Sequence, residues 1–298
     1  LVKLNLHNPD VVAHLLLAVE MWIRDFGIDG LRLDAADVVE HGFLRQLAAF
    51  TKSLRPDFWL MGEVVHGDYN QWANPEMLDA VTNYECYKGL YSSHVDKNYF
   101  EIAYALNREF GEQGVYRGLP LYNFADNHDV NRVASNLTHP AHLYPLYGLL
   151  FTMPGVPSIY YGSEWGLEGK RQGGDDRRLR PALDLNSARE HAPHPELAEV
   201  IARLAQVRRE SNALRRGDYR QLLVQSEQLA FLRRSAGERV VVLVNAADEA
   251  AAVELNLPEV HGGQLVDLLD GGEAISISAE GKVKVDVWPH WLRIMAVR

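Results

Sequence analysis

Three carboxylate positions stand where short apolar runs end. Asp34 closes residues 28–34, Glu63 closes residues 58–63, and Asp126, His128 and Asp129 follow residues 121–125. Two carboxyl groups flanking a glycosidic bond are the usual equipment for hydrolysis through an oxocarbenium-like transition state. Arg32 lies two residues before Asp34, so on a strand its side chain leaves from the same face, and a cation there keeps that carboxyl charged. Glu63 follows the small Gly62 and the apolar Trp59, Leu60 and Met61. That setting favours the protonated form a general acid needs. Taken singly, each carboxylate is better read as a helix N-cap or a solvated loop residue. Their recurrence at successive strand ends is what favours chemistry.

The elements that must hold these groups follow from periodicity. Val12, Leu15, Leu16, Val19, Met21, Trp22 and Ile23 recur at helical spacing within residues 11–26, and Gly27 ends the run. A strand over 28–34, a helix from about 43 to 54 and a strand over 58–63 come next. The alternation continues with strands at 80–83, 121–125 and 156–161 and helices at 100–110, 143–153 and 196–210. Strands alternating with helices predict a parallel α/β architecture, in which functional residues collect at the C-terminal strand ends. Beyond Arg216-Gly217-Asp218 the period becomes two, at 229–233, 239–245 and 283–287, with a turn signal at Asp270-Gly271-Gly272. This predicts a small antiparallel β-sandwich domain over 218–298, after a first domain over 1–217.

The 298 residues are 47% hydrophobic and carry a formal net charge of −10, enough for a real core and without a basic face. Nucleic acid and anionic membranes are therefore excluded as partners, and a neutral substrate fits better. The single cysteine, Cys86, makes no internal disulfide and favours a reducing compartment, the cytoplasm over secretion. No apolar run spans a membrane and no leader pattern opens the chain. It begins at Leu1 rather than Met, so an upstream segment is expected.

Gly30-Leu31-Arg32-Leu33-Asp34, Gly62-Glu63-Val64 and Phe124-Ala125-Asp126-Asn127-His128-Asp129 resemble the nucleophile, acid/base and third-carboxylate motifs of the α-amylase superfamily, glycoside hydrolase family 13, in the family's order. Val2-Lys3-Leu4-Asn5 is similar to the Pro-Lys-Leu-Asn motif of its neopullulanase, cyclomaltodextrinase and maltogenic amylase group. Val156-Pro157-Ser158-Ile159-Tyr160-Tyr161-Gly162-Ser163-Glu164 resembles the eighth-strand motif. The resemblance covers nearly the whole chain. It implies an α/β (β/α)8 TIM barrel, of which only about strands four to eight are present, followed by a small antiparallel all-β C-terminal domain.

The same resemblance implies roles. Asp34 would attack the anomeric carbon, Glu63 would protonate the leaving oxygen and then activate water, and Asp129 would grip sugar hydroxyls. His128 would bind the sugar and Arg32 would hold Asp34 charged. His66 and Asp68 would line the aglycone side, and Trp72, Tyr84 and Trp165 would be stacking platforms, each with an equal claim as loop, core or rim. One arginine of the run Asp175, Asp176, Arg177, Arg178 and Arg180 would shape the pocket. The implied function is a retaining α-glycosidase hydrolysing α-1,4-glucosidic bonds of maltodextrins, starch or cyclodextrins through a covalent glycosyl-enzyme intermediate. The alternatives are a transglycosylase or isomerase of the same superfamily, or a non-catalytic carbohydrate-binding or inactive fragment.

Two departures qualify the resemblance. The early Asp-x-x-x-Asn-His motif is absent, and Asp37-Val38 stands where many α-amylases carry Lys-His and the neopullulanase group often Asn-Glu. No organic cofactor is expected to be required. Calcium, which many members bind, would find its ligands mostly upstream of Leu1. An open five-stranded remnant exposes a sheet edge and apolar helix faces, so an upstream N-terminal segment or a companion chain is expected to complete the barrel. A homodimer is left open, because that group often dimerises through an N-terminal domain.

Overall fold

The computed structural model describes residues 3–271 and 274–298, so Val2 and Gly272 of the motifs above lie outside the described residues. It divides into two compact units, Leu1–Tyr84 with Leu119–Tyr122, and Glu85–Gly118 with Asn123–Arg298.

In the first unit, α1 (Pro9–Phe26) starts at Asn8, whose side chain accepts the Asp10 N–H, and stops at Gly27 with φ 64°. It buries Val12 and Val19 but leaves Leu17, Met21, Trp22 and Phe26 exposed. β1 (Gly30–Leu33), α2 (His41–Leu54), β2 (Trp59–Gly62) and β3 (Ala80–Val81) follow, with α2 burying Leu44, Leu47, Ala48 and Thr51. β2 lies between β1 and β3 and is parallel to both, with Gly30 opposite Trp59 and Leu33 opposite Gly62. β1 is thus an edge strand among the described residues. Past β3, Thr82 makes a parallel bridge to Tyr122. Gly62 is required by packing: a Cβ there would lie 2.5 Å from Leu78 Cδ1 and 2.7 Å from the Ala36 Cβ.

The second unit takes in α3 (Tyr84–Val95) from Glu85 onward, a helix that periodicity did not announce, then α4 (Phe100–Phe110) and β4 (Tyr122–Phe124) from Asn123 onward. α5 (Val133–Asn136), α6 (Leu143–Thr152), β5 (Val156–Ser158), α7 (Leu185–Glu190), α8 (Leu197–Glu210) and α9 (Asn212–Arg216) follow, and β4 pairs with β5. α6 is apolar on every side and buried along nearly its whole length. Its C-terminal carbonyls would be orphans in that environment, and two buried arginines take them. Arg208 donates to the Phe151, Met153 and Gly155 carbonyls, and Arg233 donates to Thr152 as well as to Gly217 and Asp218. Burial pushes these guanidinium groups down, Arg208 to about 10 and Arg233 to about 9.

Still in that unit, β6 (Asp218–Val224), β7 (Gln228–Ser235), β8 (Glu238–Asn245), β9 (Ala251–Asn256), β10 (Gln264–Asp267), β11 (Ala274–Ser276), β12 (Lys282–Val287) and β13 (Trp291–Val297) make two antiparallel sheets. The larger has the order β11-β10-β13-β8-β7-β6, and β12 pairs with β9. Both sheets supply one apolar core, with Leu232, Val241, Leu243 and Met295 from the larger and Val253, Leu255, Val283 and Val285 from the smaller. Among the described residues no helix is long and apolar enough to cross a membrane.

A buried polar node positions the loops after β4 and β5. Asp126, 2% exposed, accepts the Val133 N–H at 2.8 Å and the Ser163 hydroxyl at 2.9 Å. Arg132, fully buried, donates to the Tyr161 carbonyl, to Ser163 Oγ and to the Leu179 carbonyl, and its guanidinium lies 4.1 Å from the Tyr160 ring centre. Burial raises Asp126 to about 6, against the lowering effect of these donors. The unfolded chain releases this proton near pH 4 and the folded chain near pH 6, so Asp126 costs stability progressively as pH rises across that window. Asp126→Asn should therefore gain on the parent protein between about pH 4 and pH 6, by on the order of 3 kcal/mol, with a constant difference above. Denaturant unfolding at stepped pH reads this, and a pH-independent difference contradicts it. Arg233→Ala strands several buried carbonyls and should cost about 3 kcal/mol in the same assay.

Candidate active site

Asp34 and Glu63 are the first residues after β1 and β2, so the parallel register of those strands brings them to one end of the sheet. The backbone fixes this further. The Glu63 N–H donates to the Leu33 carbonyl at 2.9 Å, and the Glu63 carbonyl accepts the Ala36 N–H at 2.8 Å. Ala35 between them has φ 44°, a left-handed turn immediately after Asp34.

Arg32 joins the two carboxylates. Its Nη1 donates to Asp34 Oδ1 at 2.7 Å and its Nη2 to Glu63 Oε2 at 2.5 Å. Tyr84 Oη donates to the other oxygen, Glu63 Oε1, at 3.2 Å. The apolar surroundings expected for Glu63 are thus only part of its setting: its side chain is 12% exposed, yet both oxygens are held by polar donors. The strand carries apolar residues, but the donors come from β1 and from the start of α3, which the local sequence around Glu63 does not reveal. The Asp34 side chain is 82% exposed, so one carboxylate is open and the other sheltered. Because Arg32 and Asp34 both meet solvent, their pairing contributes orientation far more than stability.

In the second unit, His128 Nε2 lies 3.0 Å from Asp129 Oδ2, and Arg180 donates to Asp129 Oδ1 at 2.8 Å and to the His128 carbonyl at 3.0 Å. Asn127 Oδ1 accepts the Asp129 N–H at 2.8 Å, and Arg171 donates to the Asp129 carbonyl at 3.0 Å. Of the charged run after β5, Arg180 is therefore the residue engaged with a motif carboxylate, while Arg177 pairs with its neighbour Asp175. Such loops have no periodicity, so spacing alone could not single it out. Asp126, in the same motif, is a structural anchor, tied to a helix N-terminus and a serine.

The remaining candidates divide. Trp72 is 8% exposed and meets His41 edge-on, a core position. Asp68 caps a short 3-10 turn by accepting the Asn70 N–H at 3.1 Å. His66 sits in an exposed segment without regular structure. Trp165 is half-buried at the end of the 3-10 turn Ser163–Trp165, and its carbonyl accepts the His194 N–H. Asp37 and Val38 are exposed, and the Lys3 ammonium reaches the Val38 carbonyl at 3.4 Å. Among the described residues, a grouping of His, Cys, Asp or Glu able to hold a metal is His139, Asp248 and His290. It does not fit calcium, which takes six to eight oxygen ligands.

Comparison with known proteins places the chain in a family. Residues 1–196 match the family described as Alpha amylase, catalytic domain, and residues 219–294 match Maltogenic Amylase, C-terminal domain. A cyclomaltodextrinase of Geobacillus thermopakistaniensis (strain MAS1) is 32% identical over 93% of this chain and 46% of its own length. Neopullulanase 2 of Thermoactinomyces vulgaris is 29% identical over 97% of this chain and 48% of its own. Among solved structures, an Anoxybacillus α-amylase superposes with a TM-score of 0.83 at 29% identity, over 99% of this chain and 64% of that one. The chain spans about half the length of the curated relatives it matches. Its strands β1 to β5 are part of the TIM barrel of that family, followed by an antiparallel all-β sheet domain. The chain belongs to the α-amylase family, glycoside hydrolase family 13.

Proposed function

We propose that this chain is the C-terminal part of a retaining α-glycosidase that hydrolyses α-1,4-glucosidic bonds in maltodextrins, starch or cyclodextrins. The observation that carries the reading is the single guanidinium of Arg32 bonded to both Asp34 and Glu63 at adjacent parallel strand ends. A fork of this kind fixes two carboxylates in mutual orientation, which is what a paired-carboxylate mechanism needs.

In the mechanism, an Asp34 oxygen attacks the anomeric carbon as the glycosidic C–O bond breaks, and Glu63 gives its proton to the departing oxygen. A glycosyl ester on Asp34 results. Glu63, now the base, takes a proton from water as the water oxygen attacks the same carbon, which releases Asp34 and a sugar of unchanged configuration. Tyr84 and Arg32 keep Glu63 aimed through both steps. Asp129 holds sugar hydroxyls, with His128 and Arg180 orienting its carboxylate; His66 and Trp165 contribute outer contacts to the sugar. The names of two relatives, cyclomaltodextrinase and neopullulanase, support the substrate class.

The reading includes further chain or a companion chain that completes the barrel, supported by the edge position of β1, the exposed Leu17, Met21, Trp22 and Phe26 of α1, and the openness of Asp34. A domain boundary at 217/218 is part of it, supported by the start of β6 at Asp218. A cytoplasmic location belongs to it too, supported by the lone, buried Cys86. Transglycosylation is the second reading, because the Asp37-Val38 departure beside the nucleophile leaves the acceptor side open between water and a sugar hydroxyl.

The chain, alone and within a longer polypeptide, should be assayed on a maltooligosaccharide and a cyclodextrin while the anomeric configuration of the product is followed. An α-configured product is expected, and a β-configured one overturns the two-step mechanism. Products longer than the substrate would favour transfer over hydrolysis. In the active form, Asp34→Ala should lower kcat by about four orders of magnitude or more. Glu63→Gln should lower hydrolysis of poor leaving groups by about 10²–10⁴-fold while sparing substrates with activated leaving groups, and equal losses on both would remove Glu63 as the acid.

A further inference from the structure

We propose that His139, Asp248 and His290 form a binding site for Zn²⁺ or a similarly borderline-soft divalent ion, separate from the carboxylates assigned to glycoside chemistry. Their candidate ligand atoms all lie within 4.8 Å of one another. In a tetrahedral zinc site with bonds of about 2.0–2.1 Å, ligand atoms sit about 3.4 Å apart. His290 Nε2 and Asp248 Oδ1 already stand at 3.3 Å. Turning the His139 ring out of its stack with His290 would close the set.

The surroundings are arranged as an ion site would be. Lys97 donates to Asp248 Oδ2 at 2.8 Å, which leaves Oδ1 facing His290, and such outer partners orient ligating carboxylates. The His139 and His290 rings stack with centres 4.4 Å apart and planes 21° from parallel. Behind them His142, fully buried, packs at 5.1 Å from His290 and 5.4 Å from His139, and its Nε2 is bonded to the Ala246 carbonyl at 3.1 Å. His290 holds a left-handed backbone, φ 49°. A residue held in a strained backbone conformation needs a reason for its position, and ligation through Nε2 supplies one. What the ion must displace is the 3.2 Å hydrogen bond that His139 Nδ1 accepts from Ala141.

Two imidazoles and one carboxylate select zinc, or nickel, cobalt or copper, over calcium and magnesium. Three protein ligands leave a fourth position for water. The ligands come from three loops, before α6, after β8 and before β13, so a bound ion would cross-link the loop leading into α6 to two neighbouring strands of the C-terminal sheet. Binding to the folded chain alone raises its stability by mass action.

The test is calorimetric titration of the chelator-treated chain at neutral pH with Zn²⁺, and separately with Ca²⁺, with melting temperature as a second readout. One Zn²⁺ per chain and a zinc-dependent rise in Tm are expected, with no such rise from Ca²⁺. His139→Ala and Asp248→Asn, both at exposed positions, should each weaken zinc binding about tenfold or more and abolish the rise in Tm measured against each variant's own metal-free value. Failure to take up zinc, or uptake unaltered in both variants, overturns the proposal. Activity on sugars is not the readout, so the outcome is independent of the glycosidase assignment.

Discussion

Asp126 carries a carboxylate into a place without water, and much of the second unit is organised around satisfying it. A serine hydroxyl and the first amide of a short helix take its oxygens, and Arg132 ties that serine to the Tyr161 and Leu179 carbonyls. Burying an unpaired charge costs several kcal/mol, so each partner is held as strictly as the acid itself. The loops that bear His128, Asp129 and Arg180 are thus anchored at both ends to a fixed point in the interior. A surface loop with such an anchor can present exposed charges in one geometry without spending its own hydrogen bonds on rigidity.

The first unit uses backbone rather than a buried charge. Glu63 is clamped by amides on either side of Asp34, and the absence of a side chain at Gly62 lets Ala36 and Leu78 close over the strand. Arg32 then needs only to extend along one face of β1 to touch both acids. In each unit the side chains proposed for chemistry stand mainly on strand ends or anchored loops while helices supply bulk, the division of labour expected where parallel strands end.

Much of this was legible in the sequence because it rests on local pattern. The two-residue spacing of Arg32 and Asp34 gave their shared face, the helical recurrence from Val12 to Ile23 gave α1, and period two after Asp218 gave the antiparallel sheet. What escaped depends on residues far apart in the chain. α3 escaped because Gly89, Ser92 and Ser93 face the interior of the helix's surroundings, leaving no polar stripe to reveal a period. Tyr84 was visible as an aromatic ring, but its hydroxyl contact with Glu63 spans 21 residues. Arg180 could not be told from Arg177 or Arg178, since only the fold decides which of three adjacent cations meets Asp129. Trp72, equally eligible as platform or core by type, is core because Gly67 and His41 crowd its ring.

The arginine caps on α6 bear on vectorial synthesis. The Thr152 carbonyl waits for Arg233, 81 residues downstream, and Phe151 waits for Arg208, 57 residues downstream. Until those residues have left the ribosome, the helix end has only water as its partner and cannot enter an apolar interior at low cost. Completion of this part of the barrel is therefore deferred until the C-terminal sheet begins to form, and loss of that sheet would leave an already synthesised helix unable to dock.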